Sequence, residues 1–175
     1  DEECTAENPC APPVGSPPAE ALVPTQTAAP PVTTPSVAAS PVPARPTQCA
    51  DAELTLTAVP GDGSSRVGEY PTLKLVITNV SGRVCVRDVG ATQQELRVLA
   101  GKARIWSSDD CSASKGSDPR VLQPGETRTY YVIWNSKTST PGCKSPGKLV
   151  GPGTYHLLAR VGTLTSKPAA FTVSR

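Results

Sequence analysis

The stretch Thr127-Arg128-Thr129-Tyr130-Tyr131-Val132-Ile133-Trp134-Asn135 decides the fold. It is rich in β-branched and aromatic residues, which fit a pleated and half-buried surface. In an extended chain, side chains alternate between two faces. Tyr130, Val132 and Trp134 then share one face, and Tyr131 and Ile133 share the other. Just before it, Leu122-Gln123-Pro124-Gly125-Glu126 places Pro and Gly side by side, the chemistry of a tight turn.

Working outward, the same texture recurs from Cys49 to Arg175. Glu53–Val59 sets Leu54, Leu56 and Ala58 opposite Thr55 and Thr57, and Pro60-Gly61-Asp62-Gly63 ends it. Leu73, Leu75 and Ile77 alternate with Lys74 and Thr78 before the turn Asn79-Val80-Ser81-Gly82. Arg83–Val89 is centred on Cys85, and Gln94–Leu99 turns through Ala100-Gly101-Lys102 into Ala103–Ser107. Tyr155, Leu157, Ala159 and Val161 mark another inward face, and Ala169, Phe171 and Val173 the last. No helix longer than a turn is expected. Seven or eight short strands predict an all-β fold, an antiparallel immunoglobulin-like β-sandwich, with a barrel as the rival. Gly153-Thr154-Tyr155 reads as a tyrosine corner, with the Tyr155 hydroxyl bonded to backbone.

The first 48 residues have a different composition. Twelve of the twenty prolines lie between Pro9 and Pro46, with Ala, Thr, Ser and Val between them. Proline removes donors and fixes φ, and few large apolar groups are present to offset ordering entropy. Residues 1–48 are therefore read as an acidic tip and a disordered proline-rich stalk with polyproline character, and 49–175 as the folded head. Thr25, Thr27 and residues 31–36 suit O-linked sugars on composition. Asp1, Glu2, Glu3, Glu7 and Glu20 against Arg45 give the first part a net charge of −4. The head carries sixteen Lys and Arg against ten Asp and Glu, a net of +6. A basic head favours an anionic partner or simple solubility. No run of Lys or Arg marks a nucleic-acid site, and none is expected.

Six cysteines stand at 4, 10, 49, 85, 111 and 143, with no Cys-x-x-Cys and one histidine, His156. Zinc sites need closely spaced ligand pairs, so disulfides are the better reading, and no metal or other cofactor is expected. Many pairings are open. The favoured set is Cys4–Cys10 closing the acidic tip, Cys49–Cys85 tying early strands, and Cys111–Cys143 tying two long loops. Disulfides imply an oxidising compartment outside the cytoplasm. With no apolar run long enough to span a bilayer, the chain is expected to follow a removed signal peptide or a membrane anchor that precedes it.

The head resembles small secreted immunoglobulin-like domains of actinobacterial envelopes, including mycobacterial ones. Thr78-Asn79-Val80-Ser81 before a cysteine strand, Arg104-Ile105-Trp106-Ser107-Ser108, Leu122-x-Pro-Gly-Glu126, Trp134 and Pro152-Gly-Thr-Tyr155 carry a further similarity to the BsuPI proteinase-inhibitor family. The similarity covers most of residues 50–173. It implies a sandwich, and in the second case protease inhibition. The cysteines, the stalk and the inferred export depart from that second family, and no reactive-site residue carries over.

The residues point to contact rather than chemistry. His156 with Asp109, Asp110 or Glu126 is a conceivable base for a wall hydrolase, but no nucleophile accompanies it. Asp109, Asp110 and Asp118 lack the spacing of a calcium loop and read as a solvated turn. Asn79-Val80-Ser81 matches a glycosylation pattern and reads as a turn. Trp134 is expected in the core with Tyr155 as a structural residue, and Trp106 either there or exposed for stacking. The two long segments 107–120 and 136–151 are the expected binding surface, with Trp106, Lys115, Arg120, Lys137, Lys144 and Lys148 on it. The predicted role is a non-catalytic domain that binds an envelope protein or an anionic wall polymer.

Overall fold

A computed structural model describes residues 44–175. The expectations for the stalk and for Cys4–Cys10 lie outside the described residues. The chain divides after Val42, so the head begins earlier than the boundary expected at Cys49. Backbone bonding explains the difference. Val86 N–H donates to Thr47 O, and Cys49 N–H donates to Val86 O, both at 2.9 Å. Arg83 also donates to the Thr47 hydroxyl and the Gln48 carbonyl, so these residues are part of the folded unit.

After a single 3-10 turn, Asp51–Glu53, eleven strands follow. They are β1 (Leu54–Pro60), β2 (Ser64–Arg66), β3 (Thr72–Asn79), β4 (Cys85–Asp88), β5 (Gln94–Ala100) and β6 (Ala103–Ser107). Then come β7 (Pro119–Leu122), β8 (Thr127–Ile133), β9 (Gly153–Val161), β10 (Leu164–Thr165) and β11 (Ala169–Ser174). All eight strands expected from alternation are present. The short β2, β7 and β10 are additional, and β8 stops at Ile133 rather than Asn135.

One sheet has the order β1-β3-β8. The other has the order β2-β11-β9-β5-β6, with β10 added to β9, and β4 pairs with β7 as a separate ribbon. Pairing is antiparallel except between β11 and β2, which run parallel. The two larger sheets face each other across one core. Leu54, Leu56, Ala58, Leu73, Leu75 and Ile77 come from the first sheet. Leu96, Val98, Leu157, Ala159, Val161, Phe171 and Val173 come from the second. The fold is therefore an all-β sandwich.

Most of the few aromatics join this core. Trp134 is fully buried and lies 6.0 Å from Trp106 and 6.1 Å from Phe171, ring centre to ring centre. Tyr155 continues the line at 5.9 Å from Phe171. Its hydroxyl donates to Gly151 O at 2.8 Å, the corner predicted from Gly153-Thr154-Tyr155. Asn79 is fully buried, and its amide donates to the carbonyls of Arg83 and Leu122. Its Oδ1 accepts from the backbone and hydroxyl of Ser81. A side chain bonded in this way holds a turn, and the glycosylation pattern is incidental.

Candidate functional site

Both head disulfides form as expected, Cys49–Cys85 in the core and Cys111–Cys143 between the long loops. They assign the head to an oxidising environment outside the cytoplasm. Among the described residues, no helix is long and apolar enough to cross a membrane.

The first long loop is fixed at three places. At its start, Glu95 of β5 is buried and accepts from Ser107 Oγ at 2.7 Å, Arg97 at 2.7 and 2.8 Å, and Arg160 at 2.8 Å. Asp110 follows, also buried, and binds Arg104 at 2.9 Å and the Ser139 hydroxyl. Ser139 accepts from Ser107 N–H, so Asp110 ties the second loop to β6. In the middle, Cys111 is bonded to Cys143. At its end, the Asp88 carboxylate accepts from Ser117 Oγ and from the N–H groups of Gly90 and Asp118. These donors hold the Asp88 carboxyl below its ordinary range. A methyl group at Gly90 would meet Gly116 O at 2.3 Å and Asp118 N at 2.6 Å, so this crossing requires glycine. Gly90→Ala is expected to lift residues 116–118 and raise amide exchange there at least tenfold, read by hydrogen exchange.

These contacts correct the solvated-turn reading for Asp110, whereas the Asp109 and Asp118 side chains are each 40% exposed, as that reading expects. A carboxylate that meets one guanidinium and one hydroxyl is a structural tie, which an isolated Asp-Asp pair in a polar segment does not reveal. Burial pushes the Glu95 carboxyl up, but donation from Arg97, Ser107 and Arg160 outweighs it and holds the group at about 2, down from 4.5. A depressed folded value stabilises the head above pH 4.5, and that contribution is lost as pH falls toward 2. The stake is roughly 3 kcal/mol. Glu95→Gln is expected to flatten the acid limb of a urea-melting series between those pH values. An unchanged limb would assign acid sensitivity elsewhere.

The second loop folds back on itself. Lys137 pairs with Leu149, Thr138 N–H donates to Lys148 O, and Lys148 N–H donates to Thr138 Oγ1. Gly147 lies at φ +61°, where an added methyl would meet Thr138 O. Lys137 and Lys148 are thereby held on neighbouring strands of a small hairpin, with Lys144 exposed beside Cys143. Lys115, Lys137, Lys144 and Lys148 make no ion pair among the described residues. Arg120 does not join them. It lies in β7 opposite Arg87 and is paired with Asp118 at 2.8 Å. Trp106 is half-buried against Trp134, which is an intermediate between the two expected placements.

His156 lies on β9 next to Tyr155, and its candidate acids are engaged elsewhere. Asp110 serves Arg104 and Ser139, Glu126 pairs with Arg128 at 2.7 Å, and Asp109 faces Arg160 at 3.5 Å. No group of three His, Cys, Asp or Glu among the described residues is placed to hold a metal.

One feature had no signal in the sequence. A groove of about 310 Å³ runs between β8 and the first loop. Leu75, Val89, Leu96, Tyr130 and Val132 give it an apolar floor, and its charged lining residues are Glu95, Asp109 and Asp118. Burial and the charge of Glu95 raise the Asp109 carboxyl above its ordinary value. The loop that roofs this groove is separated from β8 by turns and β7, so periodicity alone does not bring them together.

No protein-family model matches the chain, and no curated protein matches it. Solved structures similar to it include a β-glucosidase from Listeria innocua in complex with isofagomine, at 15% identity and a TM-score of 0.42. That match covers 70% of this chain and 16% of the glucosidase. The sporulation control protein Spo0M from Bacillus subtilis matches at 12% identity and a TM-score of 0.42, covering 70% of this chain and 50% of Spo0M. The CARDB domain of a Pyrococcus furiosus protein, solved with di-metal ions, matches at 18% identity and a TM-score of 0.35, covering 69% and 90%. The chain thus spans only a small part of the glucosidase it matches.

Proposed function

We propose that this chain is the non-catalytic extracytoplasmic part of an anchored cell-envelope protein. Its head contacts an anionic envelope component, a wall polymer or the acidic surface of another envelope protein. The observation that carries this reading is the second long loop. It presents Lys137, Lys144 and Lys148 without acid partners among the described residues, on a hairpin bonded to β6 and to the first loop. Loops held on a rigid sandwich commonly carry recognition. Unpaired lysines on a preformed surface favour phosphate or carboxylate groups and act as point charges. The engagement of Asp110 and Glu126 elsewhere supports a role without hydrolysis through His156.

Co-sedimentation of the full chain with isolated phosphate-bearing wall polymer tests this. Retention is expected to fall at least tenfold when Lys137, Lys144 and Lys148 are all replaced by glutamine, and to weaken steeply between low and physiological salt. Equal retention by wild type and the triple variant would dismiss the lysine surface. Protease inhibition is the second reading raised by resemblance, and no contact in the head favours it.

A further inference from the structure

The free edge of the three-stranded sheet is β8. Its backbone polarity can be assigned from two bonds. Trp134 N–H donates to Pro71 O, and Asn79 N–H donates to Glu126 O, each at 3.0 Å. Register runs from Thr72 opposite Ile133 to Thr78 opposite Thr127. Hydrogen-bonded positions alternate along an antiparallel pair. Arg128, Tyr130 and Val132 therefore turn their backbone groups toward β3. Thr127, Thr129, Tyr131 and Ile133 turn theirs away, and none of these four makes a loop backbone bond among the described residues.

Natural sheets protect such edges with proline, lysine, bulges or short strands. The other outer strands do so. β1 ends in Pro60, β2 has three residues, and the register between β5 and β6 shifts at Val98 and Leu99. β8 has seven residues, no proline, no lysine and no bulge. Its outer face leaves Tyr131 and Ile133 67% and 64% exposed. Beside it lies the groove, whose apolar floor would receive every second side chain of an added strand.

We propose that the β8 edge and this groove form a docking site for an extended segment of a partner protein, one with alternating apolar side chains and a lysine or arginine. Backbone bonds to Thr129, Tyr131 and Ile133 would supply affinity, and the floor would supply side-chain selection. The positive residue follows from charge. The groove is lined by three carboxylates and no basic side chain, in a head whose net charge is +6. Within that lining Asp118 is paired with Arg120 at 2.8 Å and Glu95 with two arginines at 2.7 and 2.8 Å, whereas Asp109 meets Arg160 only at 3.5 Å, which makes it the contact for the incoming cation. The proline-rich residues 1–48 fit poorly, because they are acidic and lack donors at many positions. A second copy fits poorly as well. The inward side chains of its own β8, Tyr130 and Val132, already pack against its core and cannot enter a neighbour's groove.

The test uses the full chain and a random twelve-residue peptide library displayed on phage. Enriched peptides are expected to alternate apolar residues and to carry Lys or Arg. Their affinity should fall at least tenfold on Tyr131→Pro, which removes an outward N–H and spares the bonds to β3. It should fall similarly on Asp109→Lys, which leaves the strand untouched. Replacing Lys137, Lys144 and Lys148 should leave it unchanged, which separates this site from the loop surface proposed above. In ¹⁵N spectra of the wild type, bound peptide should shift Thr129, Tyr131 and Ile133. Binding that survives both variants, failure to enrich any peptide, or a dimer abolished by Tyr131→Pro would overturn the proposal.

Discussion

Replacing Trp134 with alanine is expected to destabilise the head by about 3–5 kcal/mol, the range for emptying a fully buried aromatic site. The melting midpoint should fall by roughly 10–20 °C for a domain of this size. Two losses add. The indole fills the space between Trp106 and Phe171, at 6.0 and 6.1 Å, and neither neighbour can reach the other across it. Its Nε1–H also donates to Lys137 O at 2.9 Å, at the start of the second loop. Trp134→Phe separates the two. It keeps much of the packing and strands the carbonyl, so it should cost about 1–3 kcal/mol. Calorimetry of both variants checks the magnitudes. Hydrogen exchange over 136–150 checks the coupling, because the phenylalanine variant should loosen that loop as clearly as the alanine variant does. If the two variants leave exchange in that loop unchanged, the indole acts on the core alone.

Trp134 also shows how much of the fold the sequence carries. Alternation in Thr127–Asn135 places Trp134 with Tyr130 and Val132 on the face that becomes buried, and Tyr131 with Ile133 on the face that stays exposed. The same period finds β1, β3, β5, β8, β9 and β11, while the segment centred on Cys85 and the Ala100-Gly101-Lys102 turn point to β4 and β6. It misses β2, β7 and β10, because two to four residues do not establish a period. Their pairing is set by what lies beside them. Ser64–Arg66 becomes a strand because β11 runs parallel to it.

The candidate site was legible only in part. Cysteine spacing in segments rich in turn residues points to the bridge between the loops, and the lysines of the second loop are read directly from the chain. The sequence groups Arg120 with them by proximity, yet β7 carries it to the ribbon with β4, where Asp118 neutralises it. Asp110 is the clearest case of a residue whose role only packing reveals. Its partners, Arg104 and Ser139, lie six residues before it and twenty-nine after it. The groove beside β8 is lined by residues of β3, β5, β8 and the first long loop, which are far apart in the chain, so it leaves no local mark.

Removing Cys49–Cys85 by paired alanine substitution should cost about 4 kcal/mol on the loop-entropy account, for a bridge spanning 36 residues. The bridge Cys111–Cys143 spans 32 residues, so that account alone assigns it nearly the same value. The structure separates them. Cys49 and Cys85 are 4% and 0% exposed, so their loss also empties packed volume in the core. Cys111 and Cys143 are exposed, and cutting their bond frees loop residues within the folded state, which returns part of the entropy. The core pair should therefore lower the melting midpoint by at least twice as much as the loop pair. Cys49 also lies just before the 3-10 turn that leads into β1. A pull arriving through the preceding chain meets the Thr47 and Cys49 bonds to Val86 and the bridge to Cys85 before it reaches the sheets. Pulled from residue 44 at constant force, the wild-type head should hold longer than the Cys49→Ala/Cys85→Ala head. The Cys111→Ala/Cys143→Ala head should match wild type. Equal lifetimes for all three would show that load enters the sheets by another route.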